Sequence, residues 1–95
     1  MIVRIWKASI DPARAEEYER FAHERSLPMF RSQRGFRGCG LLRSGANCTV
    51  VTLWDGPDDV AALERSSLYR ETVDAIMAAG FVRTAEEALA VPVLV

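Results

Sequence analysis

His23 is the single histidine of the chain, and imidazole is the side chain that most readily exchanges a proton near neutral pH. On a helix it falls about 200° around from Phe21, at 100° per residue. That places it away from the apolar stripe, where an ordinary exposed histidine is the competing reading. Trp6 and Trp54 offer flat faces on which an aromatic ligand can stack; the alternative for each is core packing. Tyr18 and Tyr69 fall on helical stretches, where a phenol held between helix and sheet can hydrogen-bond a ligand oxygen, or can pack with its hydroxyl outward. Arg4 and Arg43 fall on strand-like stretches. A partly buried guanidinium there polarises an oxygen and stabilises a phenolate or enolate, or else forms a salt bridge across a dimer.

Other chemistry finds no support in the residue types. One histidine with no paired nucleophile and acid makes no Ser-His-Asp set. The glycines from Gly35 to Gly40 lack the lysine and the spacing of a phosphate-binding loop. Cys39 and Cys48 form no CxxC pair and have no histidine beside them, so no metal site is expected. They lie on neighbouring strands of one hairpin, where a cross-strand disulfide and two buried free thiols are the two readings, the free thiols being the default in a chain without an export signal.

The elements that position these groups follow from local signals. Ile2 to Ile10 is β-branched and aromatic, with no Gly or Pro, and reads as a strand. Asp11-Pro12 supplies an N-cap and a first-turn proline. Ala15, Tyr18, Phe21, Ala22 and Arg25 then follow helical spacing and define an inward stripe. Pro28 predicts a break near Ser26-Leu27 and a short further turn through Met29 and Phe30. Phe36 to Ser44 and Cys48 to Trp54 read as strands joined by a Gly45-Ala46-Asn47 turn. Asp55-Gly56-Pro57 starts another helix by the same device as Asp11-Pro12, with Val60, Leu63 and Leu68 inward. Ser66-Ser67 interrupts it and caps the next, whose stripe is Tyr69, Val73, Ile76 and Met77, stopping at Gly80. Thr84 and Glu87 have capping-box spacing for one more helical turn. Ala90 to Val95 reads as a final strand, kept to an edge by Pro92.

The order β-α-β-β-α-β is the split βαβ pattern of an α+β, ferredoxin-like domain, with a four-stranded antiparallel sheet spanning residues 1–95. Both helical segments then cover one sheet face. The other face is too apolar for water: 49% of the chain is hydrophobic, and an exposed apolar patch of about 400 Å² is already large for a monomer. A two-fold contact between two such faces is the physical case for a homodimer. The net charge of −1, from 12 basic and 13 acidic residues, gives no electrostatic reason to expect nucleic acid or an anionic membrane as partner. The cluster Arg31, Arg34 and Arg37 reads as a solvated helix end. No apolar run approaches the ~20 residues that span a bilayer, and the opening residues do not read as a signal peptide, so a cytoplasmic protein is expected.

The segments MIVRIWKASIDPARAEEYERF, LPMFRSQRGFRG (Leu27 to Gly38) and VVTLWDGPDDVAAL (Val50 to Leu63) resemble the antibiotic-biosynthesis monooxygenase superfamily. The resemblance runs in order to about Phe81. It implies a ferredoxin-like chain that dimerises into an α/β barrel. It also implies a cofactor-independent monooxygenase acting on a small electron-rich aromatic or quinol, which itself reduces oxygen, so that no metal or flavin is required. The haem-degrading branch is disfavoured. Its asparagine, tryptophan and haem-ligating histidine, aligned on Glu19-Arg20-Phe21 and Trp54, fall near Ile5 or Trp6, near Leu63 and near Val73, and valine cannot bind iron. Two readings are therefore carried forward. In the first, Trp6, Trp54, Tyr18 and Tyr69 shape a substrate cleft between helices and sheet, with Arg4, Arg43 and His23 as the groups that polarise or exchange protons. In the second, the chain is a non-catalytic dimeric ligand-binding or interaction domain.

Overall fold

A computed structural model describes residues 1–92. Strand β1 (Ile2–Ile10) leads through a 3-10 turn (Pro12–Arg14) to helix α1 (Ala15–Phe21), a π-helical turn (Ala22–Ser26) and helix α2 (Leu27–Arg31). The hairpin β2 (Phe36–Ser44) and β3 (Asn47–Trp54) follows, then helices α3 (Pro57–Arg65) and α4 (Ser67–Ala78), and strand β4 (Val82–Ala90). The sheet order is β2-β3-β1-β4, with every neighbouring pair antiparallel. This is the expected α+β ferredoxin-like architecture.

Alternation along the strands divides the sheet into two faces. On β1, Arg4, Ala8 and Ile10 are buried beneath the helices, as are Cys48, Thr52 and Trp54 on β3. The opposite face carries Val3, Ile5, Val51, Leu53, Ala88 and Ala90, placed side by side by the register, with Leu42 at the edge 62% exposed. No helix of the described residues is long and apolar enough to cross a membrane.

Beneath the helices the apolar side chains gather in two clusters rather than one. Ala8, Ile10, Tyr18, Cys48, Ile76 and Phe81 pack at one end of the layer. Met29, Phe30, Trp54, Val60 and Leu63 pack at the other. Phe30, Phe36 and Trp54 meet ring to ring, with centroids 5.5–6.3 Å apart, a geometry that adds to burial. Each cluster pins one end of the helical layer to the sheet.

Several local expectations are corrected. Pro28 does not break the helix: the Leu27 N–H reaches back to Ala22 O, five residues away, and this widened turn absorbs the proline and carries the helix onward. Arg25 is not inward; it is exposed and lies over the Phe21 ring. Leu68 is likewise exposed, whereas Val60 and Leu63 are buried as expected. Asp55 does not cap α3. Asp59 does, accepting the Gly56 N–H at 3.2 Å, and Asp55 pairs instead with Arg37. Cys39 stands opposite Thr52 and Cys48 opposite Arg43, so the thiols are out of register and free. Only Cys48 is buried.

The largest correction concerns the C-terminal third. Thr84 and Glu87 start no helical turn; they lie within β4, which pairs along β1 from Ile10 to Val3. The long ladder with a central strand overrides a local capping signal. The final strand is therefore Val82–Ala90 rather than 90–95. It is an edge strand, with Pro92 just beyond it. The remainder of the expected strand, residues 93–95, lies outside the described residues.

Two predictions test this packing. Gly35 has φ +80°, and a Cβ there would run into the Asp59 carboxylate that caps α3. Gly35→Ala is expected to cost about 1–3 kcal/mol of stability, read as a lower denaturant midpoint with an unchanged slope. The second concerns alkaline pH. Burial pushes the Tyr18 phenol up, and the adjacent Cys48 adds to this; burial also pushes the Cys48 thiol up. Unfolded, such groups ionise at about pH 10 and 8.5, while the folded chain holds their protons to higher pH. The stability is then complete below those values and lost as pH rises through them. Guanidinium midpoints should fall progressively above about pH 9, and Tyr18→Phe should flatten the fall.

Candidate functional site

With both ends of the layer pinned, the middle stays open. A cavity of about 410 Å³ lies there between helices and sheet, within the ordinary range for a small-molecule site. Its floor is Arg4 and Trp6 of β1, Val50 of β3, Cys39 and Leu41 of β2, and Ala85 and Glu87 of β4. Its roof includes Tyr18 of α1, Met29 and Phe30 of α2, and Tyr69, Thr72 and Ile76 of α4. Most of these groups are apolar, and the polar ones are few and localised.

The main polar group is Arg4, only 2% exposed. Its Nη2 donates to Tyr69 Oη at 2.6 Å and lies 3.0 Å from Glu87 Oε2. Tyr69 Oη lies 3.5 Å from Glu87 Oε1, and the guanidinium carbon is 5.3 Å from the Tyr69 ring centroid. Strand register explains the grouping. Arg4 faces Leu89 and Trp6 faces Glu87 across the β1–β4 ladder, so Glu87 stands one diagonal step from Arg4 on the same face. Ser66 brings in Tyr69: its Oγ accepts the Tyr69 N–H at 3.3 Å and starts α4 with the phenol directed at the sheet.

Two buried polar atoms of this lining have no partner among the described residues, Arg4 Nε and Tyr18 Oη. Leaving such a group unbonded costs about 1–3 kcal/mol. Tyr18 packs in the cluster with Ala8 and Cys48, and Ala8 is four residues from Arg4, about 13 Å along the strand. Trp6 lies between them. The lining therefore sets the Arg4–Tyr69–Glu87 group toward one end, the Tyr18 phenol beside Cys48 toward the other, and an indole midway. Burial raises the pKa of Tyr69, while Arg4 draws it down and Glu87 pushes it up. The phenol is therefore neutral at pH 7 and can donate.

The structure separates the residues singled out from the sequence. Arg4, Trp6, Tyr18 and Tyr69 meet around the cavity. His23 reaches it too, at the mouth, exposed on the π-helical turn. Trp54 does not line it: the indole is fully buried in the second cluster, with Nε1 donating to Thr52 Oγ1 at 2.9 Å. Nor does Arg43, which is exposed and bonds Glu19 at 2.8 Å and Gly45 O at 3.1 Å. Glu87 was missed, because Thr84-x-x-Glu87 read as a helix start. The alternation Ala85, Glu87, Leu89 was the signal that would have placed it on the face of Arg4. Among the described residues no group of three or more His, Cys, Asp or Glu side chains comes together as a metal site.

No family model matches the sequence, and no curated protein matches it. Solved structures do match. A monooxygenase from the ActVA-Orf6 gene of Streptomyces coelicolor, in complex with nanaomycin D, superposes with a TM-score of 0.87 at 14% identity, over 99% of this chain and 88% of that one. SnoaB, a cofactor-independent oxygenase from Streptomyces nogalater, gives 0.76 at 19% identity, over 99% and 94%. A crystal structure of an antibiotic biosynthesis monooxygenase gives 0.78 at 14% identity, over 99% and 100%. At such identities the likeness is one of architecture, and this chain has the fold of the antibiotic biosynthesis monooxygenases.

Proposed function

We propose that the chain is a cofactor-independent monooxygenase that oxidises a flat, hydroxylated aromatic held in the cavity over Trp6. The observation that carries this reading is the buried Arg4 guanidinium, bonded to Tyr69 and Glu87, in the lining of an otherwise apolar cavity. A planar ligand over Trp6 brings an oxygen beside the Arg4–Tyr69 pair. The monooxygenases that share the fold make the chemistry the natural one to assign.

For an anthrone-like substrate the activated methylene loses a proton to Glu87, and the Tyr69 hydroxyl, backed by the Arg4 guanidinium, stabilises the resulting enolate oxygen. The enolate gives one electron to dioxygen, and the radical pair combines to a peroxide at the ring carbon. Glu87 returns its proton to the peroxide; loss of the remaining C–H proton with cleavage of the O–O bond then leaves a ketone, and the departing hydroxide takes that proton to become water. One oxygen atom stays in the product, the other leaves in water, and the substrate supplies all the electrons. Tyr69 Oη has one hydrogen to give. Glu87 at 3.5 Å competes only weakly for it, so it can follow charge as charge forms on the ligand.

The working unit in this reading is a homodimer. Val3, Ile5, Val51, Leu53 and Ala88 make a sheet face that the chain's own helices leave uncovered. A second copy covers it by a two-fold, self-complementary contact.

Oxygen uptake with a panel of anthrones and hydroquinones tests the activity. The expected result is consumption above buffer with one labelled oxygen atom from dioxygen in the product. Uptake no faster than buffer across the panel rules the oxygenase out. Arg4→Met should lower kcat by about 100-fold or more, the usual loss on removing an anion-stabilising donor, and Tyr69→Phe by less. For the assembly, sedimentation at micromolar concentration should show two chains, and Val51→Arg should convert them to one; a wild type that sediments as one chain removes the dimer.

A further inference from the structure

We infer that Glu87 makes the cavity select neutral aromatic ligands over anionic ones, by cancelling the charge of Arg4 before a ligand arrives. This rests on the assignment of the cavity to substrate and adds a specificity rule to it.

A guanidinium keeps its proton at any physiological pH. Buried without a counter-charge, it turns a cavity into an anion site. Arg4 is buried, yet it is not without a counter-charge. Glu87 Oε2 sits 3.0 Å from its Nη2, and Glu87 is the only carboxylate among the described residues of the lining. The formal charges of Arg4 and Glu87 sum to zero. An aromatic carboxylate or a preformed phenolate entering the site has two options. It shares Arg4 with Glu87 and meets like-charge repulsion, or it displaces the half-exposed Glu87 carboxylate and breaks the pair. A neutral phenol needs neither. It accepts from the Tyr69 hydroxyl, whose hydrogen Glu87 holds only weakly at 3.5 Å, while Nη2 keeps Glu87 and Tyr69. Tyr69 registers both charges, its pKa drawn down by Arg4 and pushed up by Glu87.

The same pairing preserves the balance during reaction. When a bound neutral ligand gives its proton to Glu87, a carboxylate charge is replaced by a ligand charge beside the same guanidinium, and the sum stays at zero. A ligand that arrives already ionised meets a cavity with one negative charge too many.

The test compares 2-naphthol with 2-naphthoate, two ligands of one shape and different charge, binding to the full chain at pH 7 by calorimetry. Wild type should bind naphthol at least tenfold more tightly. Glu87→Gln keeps the size and an acceptor oxygen while removing the charge; it should shift the ratio by tenfold or more toward naphthoate, and Glu87→Asp should leave it near wild type. A ratio that stays within twofold in Glu87→Gln, with both ligands bound, overturns the inference while leaving the cavity's assignment intact. Failure of wild type to bind either ligand overturns the assignment and this inference together. Wild type alone supplies a second reading, independent of whether the variant folds. Its affinity for 4-nitrophenol should fall as pH rises through the ionisation of that ligand, and an affinity that rises instead also overturns the inference.

Discussion

The guanidinium of Arg4 cannot shed its charge, and it lies on the helix-facing side of a central strand. Taking such a charge out of water costs several kcal/mol unless partners replace the lost hydration. The replacements come from two other elements, Tyr69 of α4 and Glu87 of β4. One buried cation therefore ties the sheet to a helix and fixes the register of an edge strand. A slip of β4 by one residue would turn Glu87 to the opposite face and strand Arg4 without a counter-charge. Apolar packing anchors this strand only at its start, where Val82 joins the first cluster; farther along, its helix-facing residues Ala85 and Leu89 are exposed.

The cavity exists because the apolar residues are divided. Tyr18, Ile76 and Phe81 close one end of the layer, and Phe30, Trp54 and Leu63 close the other. A single continuous core would have filled the space above Arg4 and Trp6. The π-helical turn belongs to the same arrangement. By carrying the helix past Pro28 it delivers Met29 and Phe30 to the second cluster and leaves Ala22, His23 and Ser26 along the cavity. Extra residues in a helical turn often mark functional sites.

Much of the fold was legible because its signals are local and mutually consistent. The β1 pattern, the Asp11-Pro12 start, the β2–β3 hairpin and the Ser66 interruption each rest on a few adjacent residues. Four residues of the cavity lining, Arg4, Trp6, Tyr18 and Tyr69, followed from knowing which face of a strand or helix they occupy. The failures have a common cause. Thr84 and Glu87 satisfy a helix-start pattern locally, and only the ladder with β1, more than 70 residues earlier in the chain, cancels it. Trp54 and Trp6 share a sheet face, and nothing in their own segments says that one ends inside a cluster and the other on a cavity floor. Arg43 was read from strand position alone. At the hairpin end it meets Glu19 and solvent instead of the interior.

A crystal structure with a planar dihydroxy- or hydroxyketo-aromatic soaked into the protein bears most directly on the central claim, that Arg4 heads a ligand cavity. The expected result is the ring system lying over Trp6, one ligand oxygen within hydrogen-bond distance of Tyr69 Oη, and Glu87 still paired with the Arg4 guanidinium. A ligand bound elsewhere, or side chains closing the space above Arg4 and Trp6, would contradict it.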